Sequence, residues 1–512
     1  MVNKETIKKY WIYILPCIIL IGGGLLHMWR GYYGSGLYPI HADGVDDAYI
    51  TYRYGWNLAN HGTLSWNESG YRRTEGFTNP LWLLFSFGWS LPGVKEWVYP
   101  LSVISSLILS CGLLILLINS VYQRHGQSGA AVMGLLLLTV IPAIWLHVTS
   151  GLESVVFGIG LALLACLVIF NDSRKFHPIT IVLLTIFIGF LRSDGFVYLT
   201  MIMIAGLIVK SDSWKYLTIG IFISTFALFA WRYSDFNSLF PNTATAKLNF
   251  SVLERIPVSF KYLGFTLFNS GLIIFLILGI AGLKLEQHFA RYASLFVIFS
   301  WIGYYMYMGG DWVFERHLIG LYFFAAALSA PLWIVASRVA RGLFIVLILT
   351  VVVISIARYG DRFDYLSPKH NDPWVMLGQA AGVDRSKYGV LITTAAGKIP
   401  FYAGGDCIDN LGLNDPYLGT LKRDLFVPGH SAGDDFAAIE LAKSHPAGIY
   451  SRFSYIDPNF INGPEDISLW VNNLSPQDSV QVGVTQDQWE SVNELGDPFI
   501  WSLISEPVIT AP

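Results

Sequence analysis

Long apolar runs separated by short polar segments organise the first two thirds of this 512-residue chain. A helix needs about 20 apolar residues to cross roughly 30 Å of hydrocarbon. Runs near that length lie at 11–29, 97–121, 130–148, 152–170, 178–191, 196–209, 215–231, 268–283, 290–308, 318–336 and 342–357. The pattern therefore predicts a polytopic α-helical membrane protein with about eleven transmembrane helices.

One further apolar run, at 81–91, is short and ends at Pro92-Gly93. It predicts a helix at the membrane interface or a re-entrant helix. With eleven spans, most short segments on one side carry Lys or Arg, which marks the cytoplasmic side. The N-terminus is then cytoplasmic. The segments 30–80, 149–152, 192–195, 232–267, 309–317 and 358–512 are then outside.

The pattern changes near residue 358, where apolar runs shorten and Gly, Pro, Asp and Asn become more frequent. About 150 residues of this kind predict a domain in water. We expect a membrane part over 1–357, with its first outer loop at 30–80, and an extracytoplasmic α/β domain over 358–512. Within that domain, 389–393 and 479–484 have the pattern of strands and 434–443 that of a helix.

Composition agrees with the apolar pattern, since 54% of residues are hydrophobic and only 13% are charged, against about 25% charged in soluble proteins. The net charge of −3 and the absence of like-charge blocks give no sign of a nucleic-acid partner. Four cysteines show neither a disulfide framework nor metal-ligand spacing. No phosphate-binding loop motif for a nucleotide occurs.

The candidate chemistry begins with two adjacent carboxylates, Asp46 and Asp47, in the first outer loop. At the start of a helix they would simply stabilise the helix through its dipole. Alternatively, one carboxylate takes a proton from an acceptor hydroxyl while the other supports it, as a glycosyl transfer requires. Arg53 shares their helix face and would pair with a carboxylate, either structurally or at the site, or with a lipid phosphate.

Several blocks of sequence carry a resemblance to a known family. They are DDAYI (46–50), EGFTNPLW (75–82), GLES (151–154), LRSDG (191–195), LFPNTATAKL (239–248), GGDW (309–312), AGKIPFY (396–402) and DNLGLNDP (409–416). In this order they resemble the terminal β-1,2-arabinofuranosyltransferases of actinobacterial cell-wall arabinan and their bacterial relatives. That family belongs to the GT-C class, whose members take a sugar from a polyprenyl phosphate on the outer face of the membrane.

The resemblance implies a role for particular residues. It points to Asp46 as the base, with Asp47 supporting it. Residues implied in binding substrate or lipid phosphate are Arg53, Glu75, Asn79, Glu153, Arg192, Asp194, Asn242, Lys247, Asp311, Trp312, Arg316 and His317. Glu153 and Asp194 are equally typical of helix caps, and outer cations also reach for lipid headgroups. Relatives place an Arg after the GGDW block, and here Arg316 is the candidate.

The resemblance thus implies a GT-C glycosyltransferase of the bacterial inner membrane, with inversion at the anomeric carbon. Its expected partners are a polyprenyl-phosphate donor, with a pentofuranose such as arabinofuranose, and a glycan or surface-protein acceptor. No cofactor is required, although some GT-C enzymes bind a divalent metal. Two alternatives remain open, a catalytically silent assembly or regulatory protein and, less favoured because charges gather at outer span ends, a transporter or flippase.

Overall fold

The computed structural model describes residues 4–33, 44–126, 142–170, 177–248, 250–311 and 313–337, and then isolated residues and short segments up to 509, of which 390–393 and 395–421 are the longest. The described chain up to 337 is almost entirely helical. Its helices are α1 (Lys4–Tyr33), α2 (Asp46–His61), α3 (Pro80–Ser90), α4 (Lys95–His125), α5 (Pro142–Val148), α6 (Ser154–Ile169), α7 (Pro178–Leu191), α8 (Gly195–Ile208), α9 (Ser213–Phe236), α10 (Asn242–Leu248), α11 (Val252–Asn269), α12 (Leu272–Gly282), α13 (His288–Met308) and α14 (Ile319–Val335).

Three of the described helices are long and apolar enough to cross a membrane alone: α1 over Trp11–Met28, α4 and α9. A fourth span results if α11 and the following helical segment up to Leu285, which meet at a 76° bend, are taken together. Further apolar helices of 10–17 residues are α6, α7, α8 and Ile319–Leu332 of α14. The helical, multi-span character is as expected, whereas the count of eleven stays a prediction.

The helix α3 covers the short apolar run at 81–91. Its 11 residues extend about 16 Å at 1.5 Å per residue, roughly half the thickness of the hydrocarbon core. Alone it is too short to cross. Most of the expected spans at 130–148 and 342–357, and the strand predicted at 479–484, lie outside the described residues.

The centre of the bundle is α6, whose 16 residues are all buried. A helix that is apolar on every side belongs in a protein interior, and α6 packs against α4, α7, α8 and α14. At Gly158 a Cβ atom would lie 2.7 Å from the Ile319 side chain and 2.9 Å from the Gly320 nitrogen. The absent side chain lets α6 and α14 approach closely, as small residues do between membrane helices.

The C-terminal segment (residues 390–421) packs on the first outer loop. Its strand β1 (Val390–Thr393) pairs in parallel with β2 (Cys407–Asp409) and with a later strand (Ile449–Arg452), which pairs antiparallel with Val508–Ile509. This is a mixed sheet with the helix Lys398–Ala403 between β1 and β2. The predicted strand at 389–393 is confirmed, while the domain division at 358 stays a prediction.

Buried polar contacts attach the C-terminal segment to the loop. Arg53, 1% exposed, donates from Nη1 to the Pro400 carbonyl and from Nη2 to the Gly405 carbonyl, the latter over 2.5 Å. Trp66 donates from Nε1 to the Ala396 carbonyl over 3.2 Å. Because buried polar groups need partners, these bonds hold the segment in one position over the end of the bundle where α2 begins.

Replacing Gly397 by Ala should loosen this attachment. The new Cβ atom would lie 1.9 Å from the Asp46 carbonyl oxygen, a distance that forces the backbone apart. We expect hydrogen exchange across residues 395–405 to accelerate at least tenfold, the equivalent of about 1.4 kcal/mol, since charged hydrogen bonds contribute about that much or more. Mass spectrometry of the exchanged protein in detergent measures this.

The matched control is Gly88→Ala, because a Cβ at Gly88 would meet nothing within 4 Å. It should leave exchange over 395–405 unchanged. Equal protection in wild type and Gly397→Ala would show that the close approach at Gly397 does not hold the segment.

Candidate active site

The two adjacent carboxylates form the first turn of α2. The helix begins after Val45, whose backbone is extended, and no side chain caps it. The negative charge of two carboxylates in a first turn interacts favourably with the positive end of the helix dipole and stabilises the helix. Their side chains diverge, as adjacent positions on a helix must, and they serve different neighbours.

Asp46 faces the C-terminal segment. It is 8% exposed, and its two oxygens accept hydrogen bonds from the backbone nitrogens of Gly397 at 3.0 Å and Lys398 at 2.7 Å. Burial raises the pKa of Asp46 to about 7, although the two backbone N–H groups and the charge of Lys398 oppose the shift. Asp46 therefore ties α2 to the segment.

Asp47 faces the membrane bundle instead, and its partner is Arg316. Arg316 Nη1 lies 2.9 Å from Asp47 Oδ2, and Nη2 lies 2.6 Å from Asp311 Oδ2. His317 Nε2 is 3.0 Å from the same Asp311 oxygen. Arg316 thus joins the first outer loop to the turn between α13 and α14.

A second guanidinium, Arg192, lies beside this group. Its Nε is 2.9 Å from Asp194 Oδ1 and its Nη1 is 3.0 Å from Glu153 Oε1. Asn79 donates from Nδ2 to Glu153 Oε2 over 2.7 Å and accepts from Thr51 Oγ1 over 2.7 Å. The turn before α8 and the start of α6 are therefore connected to α2 and α3.

His317 links the two arginines. Its Nδ1 lies 3.4 Å from Arg192 Nη2 and 3.7 Å from Asp194 Oδ2. We call the resulting set the charged cluster; its members are Asp47, Glu153, Arg192, Asp194, Asp311, Arg316 and His317. Asp47 and Arg316, more than 260 positions apart in the chain, meet here because several of the described helix ends converge beneath the C-terminal segment.

Burial and neighbouring charges shift the pKa values of Asp194 and His317. Burial raises the pKa of Asp194, but the charges of Arg192 and His317 and the hydrogen bond from Arg192 together outweigh burial, and the pKa is lowered. Burial, followed by the charge of Arg192, lowers the pKa of His317 below its usual value, against the opposing pull of Asp311. His317 is therefore a neutral imidazole at pH 7, between ionised partners.

A cavity of about 40 Å³ opens onto the charged cluster. Its lining residues are Asp47, Ile50, Thr51, Gly76, Phe77, Thr78, Asn79, Leu152, Glu153, Arg192, Thr243, Arg316 and Leu413. The volume suits one or two water molecules, each of which occupies about 30 Å³ in the liquid. Asp47, 15% exposed at its side chain, borders this cavity, and Asp46 does not line it.

A separate ion pair supports the site from the side. Arg232 of α9 contacts Glu75 through Nε at 2.7 Å and Nη2 at 3.0 Å, and it also donates to Ser193 Oγ. Sequence reasoning singled out Glu75 but missed Arg232. A lone arginine at the end of an apolar run was the available signal, because such a group is expensive near the membrane unless paired.

Two further predicted residues, Asn242 and Arg53, bond to the C-terminal segment and do not belong to the charged cluster. Asn242 donates from Nδ2 to the carbonyl oxygens of Gly412, Leu413 and Asp415 at 2.8–3.1 Å, and Arg53 donates to carbonyls of the C-terminal segment. Lys247 belongs to α10, but its side chain lies outside what the structure describes, as does Trp312.

Sequence reasoning did not single out every residue that lines the cavity; Thr243 and Leu413 are examples, although both lie in blocks that carry the resemblance. Thr243 follows an asparagine at the start of a short helix, and Leu413 belongs to the C-terminal segment. Neither residue type signals chemistry by itself. Only the packing of the segment onto the bundle brings them to the site.

The donor set was also compared with what a metal ion needs. Among the residues that the structure describes, no group of three or more His, Cys, Asp or Glu side chains is arranged to hold one. The carboxylates of the charged cluster face guanidinium or imidazole groups instead. In this arrangement the residues do not fit a resident metal.

The raised pKa of Asp46 predicts a pH-dependent stability. An unfolded aspartate titrates near 3.9, so between pH 8 and 6.5 the folded state gains a proton that the unfolded state does not. Linkage then makes the protein more stable as pH falls, by about 1 kcal/mol over this window. Melting in detergent should therefore shift upward by about one degree from pH 8 to 6.5.

Asp46→Asn is the comparison variant for this measurement, because it removes the titration and keeps the side-chain shape. The difference in melting temperature between wild type and variant should change across the window. A difference that is constant from pH 8 to 6.5 would show that Asp46 does not titrate there.

Comparison with known proteins concerns the fold. No protein-family model matches the chain, and no curated protein matches it in sequence. Among solved structures it is similar to the crystal structure of the Archaeoglobus fulgidus oligosaccharyltransferase in complex with Zn and sulfate, with a TM-score of 0.52 and 14% identity over 79% of this chain. The chain spans 62% of that protein's length.

This likeness confirms the expected GT-C fold, and it extends over most of the chain. The likeness and the apolar helices together agree with the first conclusion from the sequence pattern. The chain is a multi-pass membrane protein with a GT-C fold.

Proposed function

We propose that the chain is a membrane glycosyltransferase that moves a sugar from a polyprenyl-phosphate donor to a glycan or surface-protein acceptor on the outer face of the bacterial inner membrane. The observation that carries this proposal is the convergence of Asp47, Arg192 and Arg316 at one cavity. A carboxylate suits the removal of a proton from a hydroxyl, and guanidinium groups suit a phosphate. The sugar is a pentofuranose such as arabinofuranose, on the resemblance of the sequence blocks.

The proposed reaction is a single displacement. The acceptor oxygen bonds to the anomeric carbon as its proton passes to Asp47, and the bond from that carbon to the phosphate oxygen breaks with inversion. Polyprenyl phosphate leaves with the bonding electrons, and its charge is stabilised by Arg316 and Arg192. No step needs a nucleotide.

The geometry favours Asp47 as the base over Asp46, the reverse of the order that the resemblance implied. Asp46 already accepts two backbone hydrogen bonds, whereas Asp47 borders the cavity and pairs with Arg316. A donor phosphate that replaces Asp47 at Arg316 would release this carboxylate for the acceptor hydroxyl. Asp46 then acts as a positioning residue for the C-terminal segment.

An apolar groove between α8 and α9 suits the polyprenyl chain. It has a volume of about 590 Å³ and is lined by Phe196, Thr200, Met203, Thr218, Ile221, Phe222, Thr225, Phe226, Phe229, Ala230, Tyr233 and Leu239. Phe196 follows Asp194 of the charged cluster by two residues, and Arg232, next to Tyr233, contacts Ser193. The groove therefore begins beside the cations that would hold the phosphate.

The orientation completes the proposal. With a cytoplasmic N-terminus, the charged cluster and the domain at 358–512 lie outside, where the acceptor glycan is. A catalytically silent protein is the rival with specific support, because the carboxylates of the cluster are already paired with cations. Transfer activity decides between the two.

Asp47→Asn tests the base directly. Membranes containing the protein are incubated with polyprenyl-phosphate arabinofuranose and envelope glycan acceptors, and the transferred pentose is measured. We expect kcat to fall by at least about a hundredfold, as is typical when a general base is lost. Asp46→Asn should reduce it less, because that carboxylate acts through the C-terminal segment.

The matched control is Asp212→Asn, the same change at a side chain that is 83% exposed and pairs only weakly with Lys215 near a turn, and it should retain wild-type transfer. Full activity in Asp47→Asn with loss in Asp46→Asn would restore the original order of the two carboxylates. No transfer by the wild type to any acceptor would favour the silent protein.

A further inference from the structure

The cavity at the charged cluster has an apolar side as well as a charged one. Leu413, Ile50 and Phe77 line it, and the three side chains belong to one buried hydrophobic cluster. Leu413 is 4% exposed and is the cavity's contribution from the C-terminal segment among the residues that the structure describes. A single apolar side chain therefore extends from the segment into a site otherwise built by the membrane part.

The turn that carries this side chain, residues 409–415, is held from within. The carboxylate of Asp409 accepts hydrogen bonds from the backbone nitrogens of Leu411 and Asn414 and from Asn414 Nδ2, each at 2.9 Å. Gly412 has φ of +72°, a conformation that glycine adopts without strain. The turn has one well-defined shape.

The membrane part holds the same turn from outside. Asn242 donates to three of its carbonyl oxygens, one of which belongs to Leu413. Arg72 pairs with Asp415, with Nη2 at 3.1 Å from Oδ1. At Gly76, which also lines the cavity, a Cβ would lie only 1.8 Å from Asn414 Oδ1, so the loop and the turn are in close contact. Leu413 cannot move away without breaking these bonds.

We propose that Leu413 determines which donor sugar the site accepts. This inference rests on the proposed function. A phosphate held by Arg316 and Arg192 places its sugar in the same cavity, where the apolar side chains contact the C–H face of the ring. Compared with a pentose, a hexose carries one more hydroxylated carbon, and pressing that hydroxyl against Leu413 leaves it without a hydrogen-bond partner at a cost in binding.

The size of the cavity agrees with strict selection. Its volume of about 40 Å³ means that a sugar ring enters only as side chains around it adjust. A leucine fixed by its backbone adjusts least, whereas Asp47 and Arg316 exchange partners when a phosphate arrives. Leu413 therefore stays in place as the donor sugar binds, and a larger sugar contacts it unfavourably.

Leu413→Ala tests this inference. The wild type and the variant are assayed with polyprenyl-phosphate arabinofuranose and polyprenyl-phosphate glucose, and kcat/KM is measured for each donor. Removing three carbon atoms from the wall should lower the preference for the pentose at least tenfold, because single methylenes in such pockets account for about 10–200-fold discrimination. The loss should be a shift in preference rather than equal loss with both donors.

Leu411→Ala is the matched control in the same turn, since Leu411 does not line the cavity; its donor preference should equal that of the wild type. Leu413→Val removes only one carbon and keeps the test informative if Leu413→Ala does not fold. It should give an intermediate donor preference at a near-normal melting temperature. A preference unchanged in both Leu413 variants would overturn the inference and leave the proposed function standing. A wild type that transfers neither sugar would instead refute the proposed function, and with it this inference.

Discussion

Paired charge at the helix ends beneath the C-terminal segment is the constraint on which the site depends. Arg316 and Arg192 are buried, and burying a charge is costly unless it is paired and its hydrogen bonds are satisfied; here carboxylates do both. Asp47 belongs to the first turn of α2, Glu153 precedes α6 and Asp311 lies in the turn between α13 and α14, so satisfying the two arginines requires these three places to meet. The charges thus specify the arrangement of this end of the bundle as well as the chemistry available there.

That pairing also defines what the site does at rest. The ion pairs of the charged cluster leave a small cavity. Under the proposed function, a donor phosphate would enter only by competing with carboxylates for the guanidinium groups. Competition of this kind would make binding selective, because an uncharged ligand would gain less at the guanidinium groups than it displaces. The same exchange would convert Asp47 from an ion-pair partner into a carboxylate available to a hydroxyl.

The C-terminal segment is joined to the membrane part by a different type of contact. Asp46, Arg53 and Asn242 bond to backbone N–H or carbonyl groups of the segment. Because every residue carries backbone groups, these contacts depend on the backbone conformation of the segment rather than on its side chains. Glycines such as Gly397 and Gly76 permit the close approach. This fixed backbone conformation allows the Leu413 side chain of the segment to reach the cavity.

The resemblance of the sequence blocks implied a role for every member of the charged cluster, and most members also lie near the end of an apolar run, where charged residues are costly unless paired. The members are Asp47, Glu153, Arg192, Asp194, Asp311, Arg316 and His317. The resemblance ranked Asp46 ahead of Asp47 as the base. The residues themselves gave no further distinction, since adjacent residues on a helix differ only in the direction of their side chains. Sequence reasoning also did not distinguish Arg53 or Asn242, which bond to backbone, from cations and amides that face the cavity.

The sequence by itself determined the membrane character and the set of polar positions at the ends of apolar runs, because apolar length and charge placement depend on local composition. The GT-C resemblance came from short blocks of residues, which are likewise local. Only the tertiary structure decided which of these positions meet. Ion pairs between residues far apart in the chain, such as Asp47 and Arg316, and the entry of Leu413 into the cavity arise from packing, and packing energies depend on distances that no local pattern of residues records.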